Sequence, residues 1–98
     1  MARSASRKYQ GSIMIYSNYQ DMAERIARLQ PFEGNSARAV MDYTLSEYRV
    51  FSYGTVIAVF SLKSGGAVLN ARKYSKTTSR LQNIIRAAWR DQKIREVV

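Results

Sequence analysis

The tightest constraint on this chain is a change of period. From Ala37 to Ala71 apolar and polar residues alternate in twos, β-branched and aromatic side chains dominate, and turn-forming residues interrupt at short intervals. A period of two sends successive side chains to opposite faces, so the segment reads as sheet. It divides into four strands, about 37–44, 47–53, 55–62 and 67–71. In the third, Val56, Ala58, Phe60 and Leu62 share one face and Thr55, Ile57, Val59 and Ser61 the other. Both faces are largely apolar, which marks a central strand covered by helices on one side. Lys63-Ser-Gly-Gly66 is a hairpin turn whose glycines supply positive φ, so strands three and four pair. Gly54 interrupts a long run and reads as a tight turn or a bulge.

Helical periodicity flanks this block on both sides. Tyr19, Met22, Ala23, Ile26 and Leu29 make one apolar stripe, with Asp21, Glu24, Arg25 and Arg28 on the wet side. Ser17-Asn-Tyr-Gln20 has the spacing of a capping box, with the Ser17 hydroxyl accepting from the Gln20 backbone. The helix is expected to run to about Gln30, where Pro31 ends it, and Phe32–Ser36 follows as a turn with Gly34 and Asn35 at positive φ. The second helix is expected from Thr78 or Ser79, since Ser79-Arg-Leu-Gln82 repeats the capping-box spacing. Leu81, Ile84, Ile85, Ala88 and Trp89 then face the core, while Arg80, Asn83, Arg86, Arg90 and Lys93 face solvent.

With 98 residues the chain has room for one modest core. Residues 1–12 are polar, small and basic and read as a mobile arm; 13–98 read as a single α+β domain, opening with a short strand at Ile13–Tyr16. The expected fold is a four-stranded antiparallel meander with an N-terminal and a C-terminal helix packed on one face. The first helix suits either covering the sheet or a dimer contact, which leaves a homo-oligomer open.

Residue types that are missing narrow the chemistry. There is no cysteine and no histidine, so disulfides, thiolate or imidazole metal sites and histidine-based nucleophilic mechanisms fall away. No cofactor and no metal is expected. Asp42 and Glu47 beside the first strand turn, and Asp21 with Glu24 on the first helix, do not group as an acid/base or nuclease site, so the expectation is a protein that is not an enzyme. No apolar run is long enough to span a bilayer and the N-terminus has no apolar leader segment, so the expected location is cytoplasmic, away from membrane.

Charge points toward a partner class. Between Lys63 and Val98 nine Lys or Arg face two acids, a net of +7 out of +9 for the whole chain. Concentrated positive charge has polyanions as its default partners, with DNA ahead of RNA here. The densest part is Arg72-Lys73-Tyr74-Ser75-Lys76-Thr77-Thr78-Ser79-Arg80, where cations and hydroxyls gather at a helix start whose free N–H groups favour anions. The plainer reading is one capping hydroxyl and hydroxyl turns in the loop. Along the helix, Arg80, Asn83, Arg86 and Arg90 are spaced to track phosphates, or form an ordinary solvated face. The nucleic-acid candidates are therefore Arg72, Lys73, Lys76, Thr77, Thr78, Ser79, Arg80, Asn83, Arg86 and Arg90. Phe51 and Tyr53, on one side of their strand beside Arg49, are either a stacking platform and partner anchor or cross-strand packing.

Three blocks, Pro31-Phe-Glu-Gly-Asn-Ser36, Tyr48-Arg-Val-Phe-Ser-Tyr-Gly-Thr-Val-Ile-Ala58 and Tyr74-Ser-Lys-Thr-Thr-Ser-Arg-Leu-Gln-Asn83, resemble in order and spacing a family of small uncharacterised tailed-phage proteins with a Tyr-Ser-x-Thr-Thr-Ser motif. In that family a histidine often follows the Ser-Arg pair, where this chain has Leu81. The resemblance implies expression in an infected bacterial host. It brings no activity with it, but adds a second expectation beside nucleic-acid binding: an inhibitor that blocks an acidic or nucleic-acid-binding host or defence protein through the same basic surface.

Overall fold

The computed structural model describes residues 18–98. The basic arm over 1–12, the strand at Ile13–Tyr16 and the Ser17 hydroxyl lie outside the described residues. The elements in chain order are α1 (Tyr19–Ala27), β1 (Phe32–Glu33), β2 (Ala37–Asp42), β3 (Glu47–Ser52), β4 (Thr55–Ser61), β5 (Gly66–Asn70), α2 (Lys76–Ala88) and β6 (Lys93–Val97). The class is α+β. The six strands form one sheet in chain order, antiparallel from β1 to β5, with β6 parallel to β5 at the far edge.

The expected four strands are all present, and two more join them. Phe32–Glu33 is not part of a turn but the first strand, pairing Phe32 with Ala39 and Glu33 with Arg38. The second addition is Lys93–Val97, whose first residue is expected on the solvent face of the second helix. Its residues alternate Lys, Ile, Arg, Glu, Val, and only Ile94 packs against the core, so the period-two signal is weak. Lys93 and Arg95 share the side away from the helices, and like charges along an edge strand discourage pairing with another copy.

One departure from strict alternation shapes the core. Val50 pairs with Ala58 and Phe51 with Val56, so Ile57 is an extra residue in β4, a bulge. Ile57 and Ala58 are therefore both buried, and Val56 lies on the opposite face from Ala58 and Phe60. The expected face assignment fails at this position because one inserted residue reverses the alternation. Gly54 is a tight turn: Tyr53 at φ +51 and Gly54 at φ +89 close the β3–β4 hairpin, with Tyr53 beyond the strand end. At the next hairpin only Gly65 takes positive φ, because Gly66 has already entered β5.

Both helices cover one face. Met22 and Ile26 from α1 and Leu81 and Ile85 from α2 bury against Ala39, Tyr48, Val50, Ile57, Phe60 and Leu69. Trp89, 1% exposed, sits where the layers meet. Its rings stand edge-on to Phe60 at 5.4 Å and to Tyr48 at 6.3 Å, and its Nε1 donates to the Ile26 carbonyl at 2.9 Å. Tyr48 in turn donates its hydroxyl to the Gln30 carbonyl at 2.7 Å. The first bond joins the Leu29 N–H on a carbonyl in the last turn of α1, and the second meets a carbonyl just past the helix end, before Pro31.

α1 is capped by Asn18, whose Oδ1 accepts from the Asp21 N–H at 2.8 Å, in place of the expected Ser17. It ends before Pro31. Leu29 takes φ +56, Gln30 N–H bonds the Arg25 carbonyl and Leu29 N–H that of Ile26, a Schellman closure with leucine where glycine is usual. Neither Gly34 nor Asn35 has positive φ; that conformation falls on Leu29, Ser46 and Tyr53 among the non-glycine residues described.

Trp89→Phe is expected to lower unfolding free energy by about 2–3 kcal/mol in urea titrations, combining a lost bond to Ile26 with a smaller ring. A second expectation concerns pH. Burial pushes the Tyr48 phenol well above the ordinary tyrosine range, with Arg25 pulling slightly the other way. The folded state therefore holds the proton that the unfolded state releases, and stability falls as pH rises past about 10, by up to ~1.4 kcal/mol per pH unit. Tyr48→Phe should lack this alkaline slope, which paired denaturation curves on either side of that pH will read.

Candidate nucleic-acid interface

Cations and hydroxyls at the start of α2 have to be sorted by what each side chain already does. Ser75 is the N-cap; its hydroxyl accepts from the Thr78 N–H at 3.2 Å, and the helix starts at Lys76, ahead of the expected Thr78 or Ser79. Thr78 is 3% exposed and its hydroxyl bonds that of Ser52 at 2.8 Å, so it fastens α2 to β3 and leaves the surface set. Gln82 does not close a capping box with Ser79. Its buried Nε2 donates to the carbonyls of Asn70 at 2.7 Å and Arg72 at 3.0 Å. The Asn70 side chain accepts from the Arg72 N–H and donates to the Tyr74 hydroxyl, both at 2.9 Å. The loop from β5 to α2 is thus pinned at both ends, and Arg72, Lys73 and Tyr74 are presented on a fixed backbone.

Lys73, Lys76, Ser79, Arg80 and Asn83 come together around a groove of about 590 Å³, floored by Tyr74, Ile84 and Ala87. Among the described residues no carboxylate lines it. Arg80 leans across Tyr19 of α1, its guanidinium carbon 4.9 Å from the ring centre, which orients the charge without neutralising it. Thr77 borders the next depression, on the side toward the β3–β4 turn.

The rest of the expected cation row is dispersed. Arg86 forms a bidentate pair with Glu96 of β6, at 2.9 and 3.0 Å, and also donates to Asn83 at 2.8 Å. The hydrogen bonds between Arg86 and Glu96 hold the Glu96 carboxyl below its ordinary value, with desolvation opposing and the opposite charge assisting, and raise Arg86 further. Arg90 lies beyond the helix end at Ala88, and Lys93 belongs to β6, where it joins Arg95, Glu47, Val59 and Val68 around a separate groove on the helix-free face. A single continuous stripe therefore does not form. Folding the C-terminus back as a strand, in place of extending the helix, is what breaks it.

Phe51 shares the helix-free face of β3 with Arg49, as expected, while Tyr53 lies beyond the strand end. That arginine is held by Asp42 at 3.4 Å and Glu47 at 2.9 Å, which also accounts for both carboxylates. Arg38 is the partner the pattern missed: its guanidinium lies 4.3 Å over the Phe51 ring, following from their direct cross-strand pairing. Arg38, Phe51 and Tyr53 together line a small cleft. No group of three or more His, Cys, Asp or Glu is placed to hold a metal ion, and no helix is long and apolar enough to cross a membrane, among the described residues.

Fold and surface together describe a small α+β protein with a fixed, cation-rimmed groove at the start of its second helix. Residues 11–95 match a family of unknown function, DUF8033, and the chain belongs to that family. Searches of curated proteins and of solved structures found no match.

Gln82→Ala would leave two carbonyls without their donor. It is expected to cost about 1–3 kcal/mol of stability and to speed amide exchange over 70–75 ahead of the rest of the chain, as read by hydrogen exchange.

Proposed function

We propose that the protein binds nucleic acid, without catalysis, through the groove at the start of α2. The supporting observation is that Lys73, Lys76 and Arg80 converge on one rigidly held groove with no carboxylate among its described lining. Phosphates are the chemistry that fits. Lys73 and Lys76 stand as point charges, Arg80 offers a planar fork, and Ser79 and Asn83 add neutral hydrogen-bonding groups that fix position. Arg72 extends the charge along the pinned loop. Arg86 is engaged by Glu96 and takes no part in lining the groove. DNA is the first polyanion to test.

A second reading, in which a phage-derived chain uses this surface to block an acidic host protein, draws on the same charge and on the exposed Tyr53 as an anchor. The two differ in their salt dependence and in the identity of the ligand. Fluorescence anisotropy with labelled mixed-sequence DNA across a salt series is the direct measurement. Affinity is expected to fall linearly on a log–log plot, and Lys76→Ala or Arg80→Ala each to reduce the slope by about one. Arg86→Ala is expected to leave the slope nearly unchanged, because that side chain is already paired. Absence of DNA binding at low salt, together with recovery of one defined protein from nuclease-treated host extract, would overturn the first reading in favour of the second.

A further inference from the structure

Three depressions on the surface share lining residues, a tyrosine stands between each and the next, and the third lies around the β3–β4 turn on the helix-free side of the sheet. Tyr74 and Ser75 line both the α2 groove and a second depression of about 340 Å³ that reaches toward the β3–β4 turn. Tyr53 lines that depression and also the cleft of about 160 Å³ beyond it, where Arg38 rests on Phe51. Both tyrosines are open to solvent, Tyr74 at 42% and Tyr53 at 68% exposure. Cations stand at either end of the track, Lys76 and Arg80 at one and Arg38 at the other, with Glu33 the one carboxylate among the described lining residues.

Tyr53 is held there against its backbone preference. With φ +51 at Tyr53 and +89 at Gly54, the two-residue turn is of the kind that favours Asn, Asp or Gly at its first position, and a bulky residue is strained in it. Its ring is too exposed for burial to offset that strain. An aromatic side chain kept at a strained and solvent-facing position is a pointer to use, not to packing.

Resting on the nucleic-acid reading above, we infer that the ligand is a single-stranded nucleic acid laid along this track. Its bases stack on Tyr74 and Tyr53, and its phosphates meet Lys76 and Arg80 at one end and Arg38 at the other. A duplex hides its base faces in its own stack and offers only phosphates and groove edges, so it leaves the two rings and the apolar floor of the α2 groove unused. A single strand engages both the rings and the charge. Arg38 keeps its N–H edges available while its face lies on Phe51.

The test compares anisotropy titrations of one labelled mixed-sequence strand, alone and annealed to its complement. The free strand is expected to bind about tenfold or more tightly than the duplex. Tyr74→Ala should weaken single-strand binding by about tenfold and Tyr74→Phe should retain it, which separates loss of the ring from loss of the bond to Asn70. Tyr53→Asn should raise the melting temperature, by relieving the turn, while lowering single-strand affinity by about tenfold. Equal or tighter binding of the duplex, or unchanged affinity in Tyr53→Asn and Tyr74→Ala, overturns the single-strand inference and leaves the nucleic-acid reading standing. Binding of neither DNA form at low salt, with capture of polyglutamate as an acidic-protein probe, overturns both.

Discussion

The Trp89 indole holds the molecule together as a three-part joint. Its N–H reaches the last turn of α1, its ring edges meet Tyr48 of β3 and Phe60 of β4, and the backbone of the same residue is the C-cap of α2. A sheet with one covered face needs its two helices placed in fixed relation to one another, and apolar burial alone is non-directional. The hydrogen bonds from Trp89 to a carbonyl in the last turn of α1 and from Tyr48 to one just past it supply that direction. Leu29 closes the same helix end in a left-handed conformation, so the chain turns toward β1 at the point where both bonds arrive.

Placement of the candidate interface follows from that arrangement. With α2 fixed at its C-terminal end by Trp89 and at its first turn by the Thr78–Ser52 hydroxyl pair, its start is set beside the β3–β4 turn. Gln82 and Asn70 then hold the incoming loop by its backbone. Much of the polar sequence around this helix start is therefore spent on rigidity, and the backbone that carries the exposed cations does not have to be ordered when a ligand arrives.

Charge is arranged by pairing as much as by density. Arg49 is enclosed by Asp42 and Glu47 and Arg86 by Glu96, whereas Lys73, Lys76 and Arg80 surround a groove with no described carboxylate. Two of those pairs join residues close in sequence or across one hairpin. The third joins α2 to an edge strand, and it depends on β6 lying parallel to β5, a placement that chain-local patterns do not encode.

Period, turn residues and apolar stripes were enough to determine the α+β class, the four central strands and their order, both helices, and the density of positive charge before α2. These are local properties, carried by alternation over a few residues. Tertiary structure decided what depends on distant partners. Lys93–Val97 became a strand because β5 offered it an unpaired edge, and Phe32–Glu33 because β2 did. The bulge at Ile57 reversed one face of β4, Thr78 was drawn into the interior by Ser52, and Gln82 turned from a helix cap to a loop brace. In each case a backbone or side-chain group had to find its hydrogen-bonding partner once water was excluded, and the nearest partner in space lay far away along the chain.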